Sequence, residues 1–134
     1  MPRLSNAPSS VFAMLGLCVV LGCGDSGHVP ATDSARKSLE SALTAWRDGK
    51  AVGQIEGSSP TIQAEDSEWR SNKKLTAFEI VGEEPGQPAD APRRFKTKLT
   101  LEGTPPADAV FVVFGKDPIY VYRDKDYEKH FSKM

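Results

Sequence analysis

FKTKLTLEGTPPADAVFVVFGKDPIYVYR, residues 95–123, decides the fold. In its first part Phe95, Thr97, Leu99 and Leu101 alternate with Lys96, Lys98 and Thr100, the period-two pattern of a strand with one wet face. Gly103-Thr104-Pro105-Pro106 then turns the chain. Residues 109–114 are apolar throughout, which predicts a central strand. Gly115-Lys116-Asp117-Pro118 makes a tight reversal, and residues 119–123 form a final strand. Along it Tyr120 and Tyr122 share one face, opposite Ile119 and Val121.

Working outward, residues 75–81 also show period two, with Thr76, Phe78 and Ile80 on one face. The Pro- and Gly-rich residues 84–92 cannot pair in a sheet and read as a long exposed loop. Farther upstream the period becomes helical. Ala35, Leu39, Ala42, Leu43 and Trp46 form one stripe, while Arg36, Lys37, Glu40, Arg47 and Asp48 take the other faces. Thr32, Asp33 and Ser34 are candidate N-caps, and Gly49 suits the left-handed position after the helix. Residues 52–55 and 61–64 read either as short edge strands or as loop over the core. Residues 64–70 suggest a helical turn ending near Ser71-Asn72, since Asn tolerates a left-handed conformation. Asp124 or Asp126 caps a short C-terminal helix carrying Tyr127 and Phe131. The expected architecture is α+β: one N-terminal amphipathic helix packed on an antiparallel sheet of about four strands in a meander. That order is similar to cystatin-like or NTF2-like domains, an analogy that carries no function.

The N-terminal segment has a separate logic. Residues 1–10 are polar with a single positive charge, Arg3, and residues 11–21 are unbroken apolar residues and glycine. An apolar run of roughly 7–15 residues is the size of a signal-peptide core, whereas a spanning helix needs about 20. Val20-Leu21-Gly22-Cys23 resembles a bacterial lipobox, in which a small residue precedes a cysteine that becomes lipidated. Leu17 fills that slot before Cys18, which makes Cys18 the poorer candidate. The expected organisation is a signal peptide over residues 1–22, lipidated Cys23 and a flexible tether over residues 23–32, and one domain over residues 33–134. Each buried methylene of a palmitate-class chain contributes about 0.8 kcal/mol, so two or three chains make a durable anchor. Both cysteines are used up on this reading, which leaves the domain with neither a disulfide nor a thiol nucleophile.

Without residues 1–22 the chain keeps 112 of its 134 residues, enough for one core and not two. Removing Arg3 with that segment takes the formal charge from −1 to −2. Near-neutrality argues against nucleic acid, whose partners carry a basic stripe.

Catalytic and metal-binding signals are weak. His28 lies in the tether and His130 near the C-terminus. Residues 124–130 superficially resemble an acidic calcium loop but lack its sixth-position glycine and twelfth-position acid. Ser58, Ser59 and Ser67 have no histidine at a recognisable spacing, and no phosphate loop or nucleophile elbow is present. The pairs Asp66/Glu68 and Glu83/Glu84 read as turn or loop, without apolar surroundings to raise a pKa. No enzyme, cofactor or metal is expected. The aromatic residues give two alternatives: Trp46 and Trp69 line a pocket between helix and sheet, or they fill the core while Tyr120 and Tyr122 form an exposed contact patch.

One ordered set of short motifs is similar to that of a group of short lipoproteins of planctomycete-type bacteria. It comprises Ala45-Trp46-x-x-Gly49, Pro60-Thr61-Ile62, Asp66-x-x-Trp69, Leu75-x-x-Phe78-x-Ile80, and Val112 through Asp117-Pro118 to Arg123. The resemblance implies an envelope location and a shared α+β fold; it brings no activity and transfers no functional residue. The functional expectation is a lipid-anchored cell-envelope protein, its domain outside the cytoplasm. Its non-catalytic domain contacts an envelope protein or polymer; the alternative is a small-ligand-binding NTF2-like module.

Overall fold

The computed structural model describes residues 29–131, so residues 1–22, Cys23 and His28 lie outside the described residues. The first element, α1 (Thr32–Arg47), buries the expected stripe Ala35, Leu39, Ala42, Leu43 and Trp46, together with Ser38. Its N-cap is Ala31, which makes no side-chain cap. None of the three expected caps serves: Thr32 already lies in the helix and its hydroxyl donates to Glu83 at 2.9 Å instead.

The remaining elements are β1 (Gln54–Ile55), β2 (Ile62–Glu65), α2 (Ser67–Arg70), β3 (Leu75–Glu83), β4 (Arg93–Leu101), β5 (Ala107–Phe114), β6 (Ile119–Arg123) and α3 (Asp124–Phe131). The α+β class stands, but the expected four-stranded meander is corrected to a six-stranded mixed sheet of order β1-β2-β6-β5-β4-β3. The meander β3-β4-β5-β6 is antiparallel, as read. The difference is β2, which lies parallel to β6 with Ile62 opposite Ile119 and Ala64 opposite Val121. A parallel partner is reached only through a long crossover, here the whole of β3, β4 and β5. No local pattern in a four-residue strand encodes it.

α1 covers one face of this sheet. Beneath it lie Phe95 and Leu99 of β4, Phe111 and Val113 of β5, Ile119 and Val121 of β6, and Ile62 and Ala64 of β2, all buried. Thr97 joins them as a fully buried polar residue, its hydroxyl satisfied by donating to the Ala109 carbonyl at 2.8 Å. In β3 the expected face is shifted by a bulge between Leu75 and Ala77. Leu75, Phe78 and Ile80 reach the core, while Thr76 is exposed and donates to the Thr100 carbonyl. A bulge inserts one residue, which reverses the alternation on one side of it.

Among the described residues the second face is covered only in part. Val112 is fully buried yet stands outside the main core, because α3 packs across the β5–β6 end of that face. At one pole the entering chain is fastened: Arg93 Nε donates to the Pro30 carbonyl at 2.9 Å, and Arg93 pairs with Glu83 at 3.3 Å.

α2 is only four residues long and depends on its cap. Asp66 Oδ1 accepts from the Glu68 and Trp69 backbone N–H groups at 2.8 and 3.3 Å. Asp66 Oδ2 accepts from Arg123 Nε at 3.0 Å, and the same guanidinium reaches Glu68 at 3.0 Å and lies 5.2 Å from the Phe111 ring centre. Asp66 is thus buried, contrary to the solvated turn expected for it. Burial pushes its carboxyl above the ordinary value, against the pull of Arg123 and the two N–H groups. Asp66→Ala removes the cap and leaves the nearly buried Arg123 with Glu68 as its one remaining carboxylate among the described residues, a loss of about 3 kcal/mol. Urea unfolding is expected to show that loss, with Asp66→Asn, which keeps an acceptor, falling between it and wild type.

Candidate contact surfaces

Trp46 and Trp69 do come together. Their rings stack with centroids 5.5 Å apart and planes 6° from parallel, and both residues are buried. Each sits near the end of a helix that closes in the same way. After α1, the Gly49 N–H bonds to the Trp46 carbonyl and the Lys50 N–H to the Ala45 carbonyl. After α2, the Asn72 N–H bonds to the Trp69 carbonyl and the Lys73 N–H to the Glu68 carbonyl. This double closure needs a left-handed residue at its turn, and Gly49 (φ 85°) and Asn72 (φ 69°) supply it. The two indoles then cross over. Trp46 Nε1 donates to the Lys73 carbonyl and Trp69 Nε1 to the Lys50 carbonyl, each at 2.8 Å.

The symmetry is written in the sequence. Trp46-Arg-Asp-Gly-Lys50 and Trp69-Arg-Ser-Asn-Lys73 are the same five-residue pattern. A search for internal repeats at that short length would have found it, whereas residue-by-residue reading left the tryptophans either lining a pocket or filling the core; both are in fact buried. The rings fill space between the two helix ends, with both N–H groups satisfied. They floor a surface groove of about 520 Å³ whose lining includes Lys50, Arg70, Lys73 and Lys74.

Tyr120 and Tyr122 lie on the face away from α1, as read from the alternation, with Ile119 and Val121 buried beneath. They are half-buried rather than open. Phe114 stacks on Tyr120 at 5.1 Å and meets Tyr122 at 5.6 Å, while Tyr127 and Phe131 of α3 approach Phe114 edge-on at 5.3 and 5.6 Å. The exposed His130 ring lies 5.9 Å from Tyr122. Arg94 stands 5.8 Å from the Tyr127 ring. The result is a partly exposed aromatic cluster shared by β5, β6 and α3, bordered by the basic side of β4.

Beside it runs a cleft of about 630 Å³ lined by Tyr122, Glu65, Arg70, Asp126, Lys129 and His130, among others. Glu65 pairs with Arg70 there. Ser67 is held by Asp126, its hydroxyl at 2.6 Å from Oδ1 and its backbone N–H at 3.0 Å from Oδ2. That contact explains Ser67 as an anchor for α3. A third concavity, of about 750 Å³, separates α1 from residues 50–58 and includes Ala45, Val52 and Ile55. Sequence reasoning missed it, since it arises from how an irregular connection lies against the helix. Among the described residues no group of three His, Cys, Asp or Glu side chains is gathered as a metal site.

Comparison of the chain with protein-family models, with curated proteins and with solved structures found no match.

Burial, and after it the nearby Glu65 charge, raises the Tyr122 phenol above its ordinary 10.0. The unfolded chain therefore releases this proton before the folded one does, so this contribution to stability is intact below pH 10 and is lost as pH rises above it. The expected result is a flatter decline of unfolding free energy above pH 10 in Tyr122→Phe than in wild type, measured by urea unfolding across alkaline pH.

Proposed function

We propose that this chain is a lipid-anchored protein of the bacterial cell envelope. Its domain stands outside the cytoplasm and binds a protein or polymer partner without catalysis, and Tyr120 and Tyr122 lie at the contact surface. The observation that carries the binding role is the aromatic cluster of Phe114, Tyr120 and Tyr122. A half-exposed group of large rings on the face that α1 leaves uncovered suits recognition, since aromatic side chains contribute much contact area at low conformational cost. The lipobox-like Val20-Leu21-Gly22-Cys23 supports the anchor. Pro30, where the chain is fastened to Arg93, lies seven positions after Cys23, which keeps the domain within about 25 Å of the bilayer surface. A formal charge near zero supports a partner other than nucleic acid.

A small-ligand module is the second reading, favoured by the groove between α1 and residues 50–58. It differs in that a ligand held there is insensitive to Tyr120→Ala.

The test is membrane fractionation with intact-mass measurement, followed by in-cell cross-linking. Wild type is expected in the membrane fraction with acyl chains on Cys23, and Cys23→Ala in the soluble fraction without them. Tyr120→Ala with Tyr122→Ala is expected to stay on the membrane and lose its cross-linked partner. An unacylated wild-type chain refutes the anchor, and unchanged cross-links in the tyrosine variant refute the contact surface.

A further inference from the structure

We infer that the groove floored by Trp46 and Trp69 binds an anionic polymer of the envelope, whose carboxylates or phosphates are held by Lys50, Lys73 and Lys74. Four of the groove's lining residues are cations, and among the described residues no carboxylate lines it. Arg70 is engaged by Glu65. The three lysines are exposed, and among the described residues none of them enters an ion pair.

Local structure does not use up these charges. Lysines at helix ends commonly answer terminal carbonyls. Here the carbonyls of Ala45, Trp46, Glu68 and Trp69 already accept backbone N–H groups, and those of Lys50 and Lys73 accept the indoles. The same bonds fix the backbone of Lys50 and Lys73 on either side of the tryptophan stack. Cations whose backbone is held in advance lose less freedom on binding. Lysine presents a compact charge that serves carboxylate and phosphate alike. The groove is open to the surface.

Position points the same way, and this part rests on the anchor proposed above. The tether is fastened at the start of α1 through Pro30 and Thr32. The groove lies at the other end of that helix, whose 16 residues span about 24 Å. On an anchored domain the lysines thus lie at the end of α1 opposite the tethered one, within reach of envelope polymer.

The experiment measures binding of full-length protein in neutral detergent to immobilised polygalacturonate and to polyglycerol phosphate, over a range of salt. Wild type is expected to bind at least one, the preferred probe identifying carboxylate or phosphate as the group recognised, and to weaken as salt rises. Lys50→Gln/Lys73→Gln/Lys74→Gln is expected to weaken binding about tenfold and flatten the salt dependence. Lys96→Gln/Lys98→Gln, which removes exposed charge from the sheet face away from α1, where Lys98 pairs with Asp108, is expected to bind as wild type does. The inference is overturned if wild type binds neither polymer, if the triple variant binds unchanged, if the sheet-face variant loses as much, or if single-stranded DNA binds more tightly than both. Polymer binding is read without reference to acylation. Failure here therefore leaves the anchor untouched, and an unacylated protein that binds the polymer leaves the groove untouched.

Discussion

Two tryptophans, each tied to the other's helix end, hold together the least regular part of this molecule. Between α1 and β3 the chain runs through 27 residues that contain only six in strands and four in a helix. Such a stretch has few backbone ladders to order it, and each residue fixed costs about 1–2 kcal/mol of conformational entropy. The stack of Trp46 on Trp69 offsets that cost by burying two large rings, and the crossed indole bonds leave no donor unsatisfied. The end of α1 and the end of α2 thereby fix each other. Once α2 is fixed, Asp66 and Glu68 are set to receive Arg123 from β6, and β2, which ends immediately before Asp66, is aligned for its parallel pairing.

The sheet that results is used unequally on its two faces. Under α1 it is a dry core in which even Thr97 finds a backbone partner. On the other face, among the described residues, the β5–β6 end is covered by a helix with no fully buried residue of its own. That difference explains why Phe95, Thr97 and Leu99 are buried while Lys96 and Lys98 between them are wet. It also explains why the tyrosines of β6 sit half in aromatic contact and half in solvent.

What was legible in the sequence followed the range of the interaction responsible. The stripe of α1, the alternation of β4 and the reversal before β6 are set by near neighbours, and they were read correctly. The antiparallel meander followed from the alternating strands and from the turns before β5 and β6, with the Pro- and Gly-rich loop of residues 84–92 joining β3 to β4. The parallel pairing of β2 with β6 was not legible, because Ile62 and Ile119 meet only after three intervening strands have formed. The N-cap of α1 misled for a related reason: Thr32 has the right chemistry, but Glu83, 51 positions away, takes its hydroxyl. Asp66 looked solvated for want of a visible partner, which turned out to be Arg123, 57 positions on. Of the candidate surfaces, the face of Tyr120 and Tyr122 was legible from period two, while its cover by α3 was not. The tryptophan clasp left a direct trace in the repeated Trp-Arg-x-Gly/Asn-Lys pattern, and it is the feature that a search for repeats recovers most simply.

The central claim is that Trp46 and Trp69 act as one unit that orders the connection between α1 and β3. A double-mutant cycle tests it most directly, with urea unfolding of wild type, Trp46→Leu, Trp69→Leu and the double variant. Leucine keeps an apolar group in place while removing both the stack and the indole donor. A shared unit predicts that the second substitution costs much less than the first, a coupling of about 1 kcal/mol or more. Costs that add to within about 0.3–0.5 kcal/mol would contradict the account, since they would mean that each tryptophan stabilises its own helix end independently of the other.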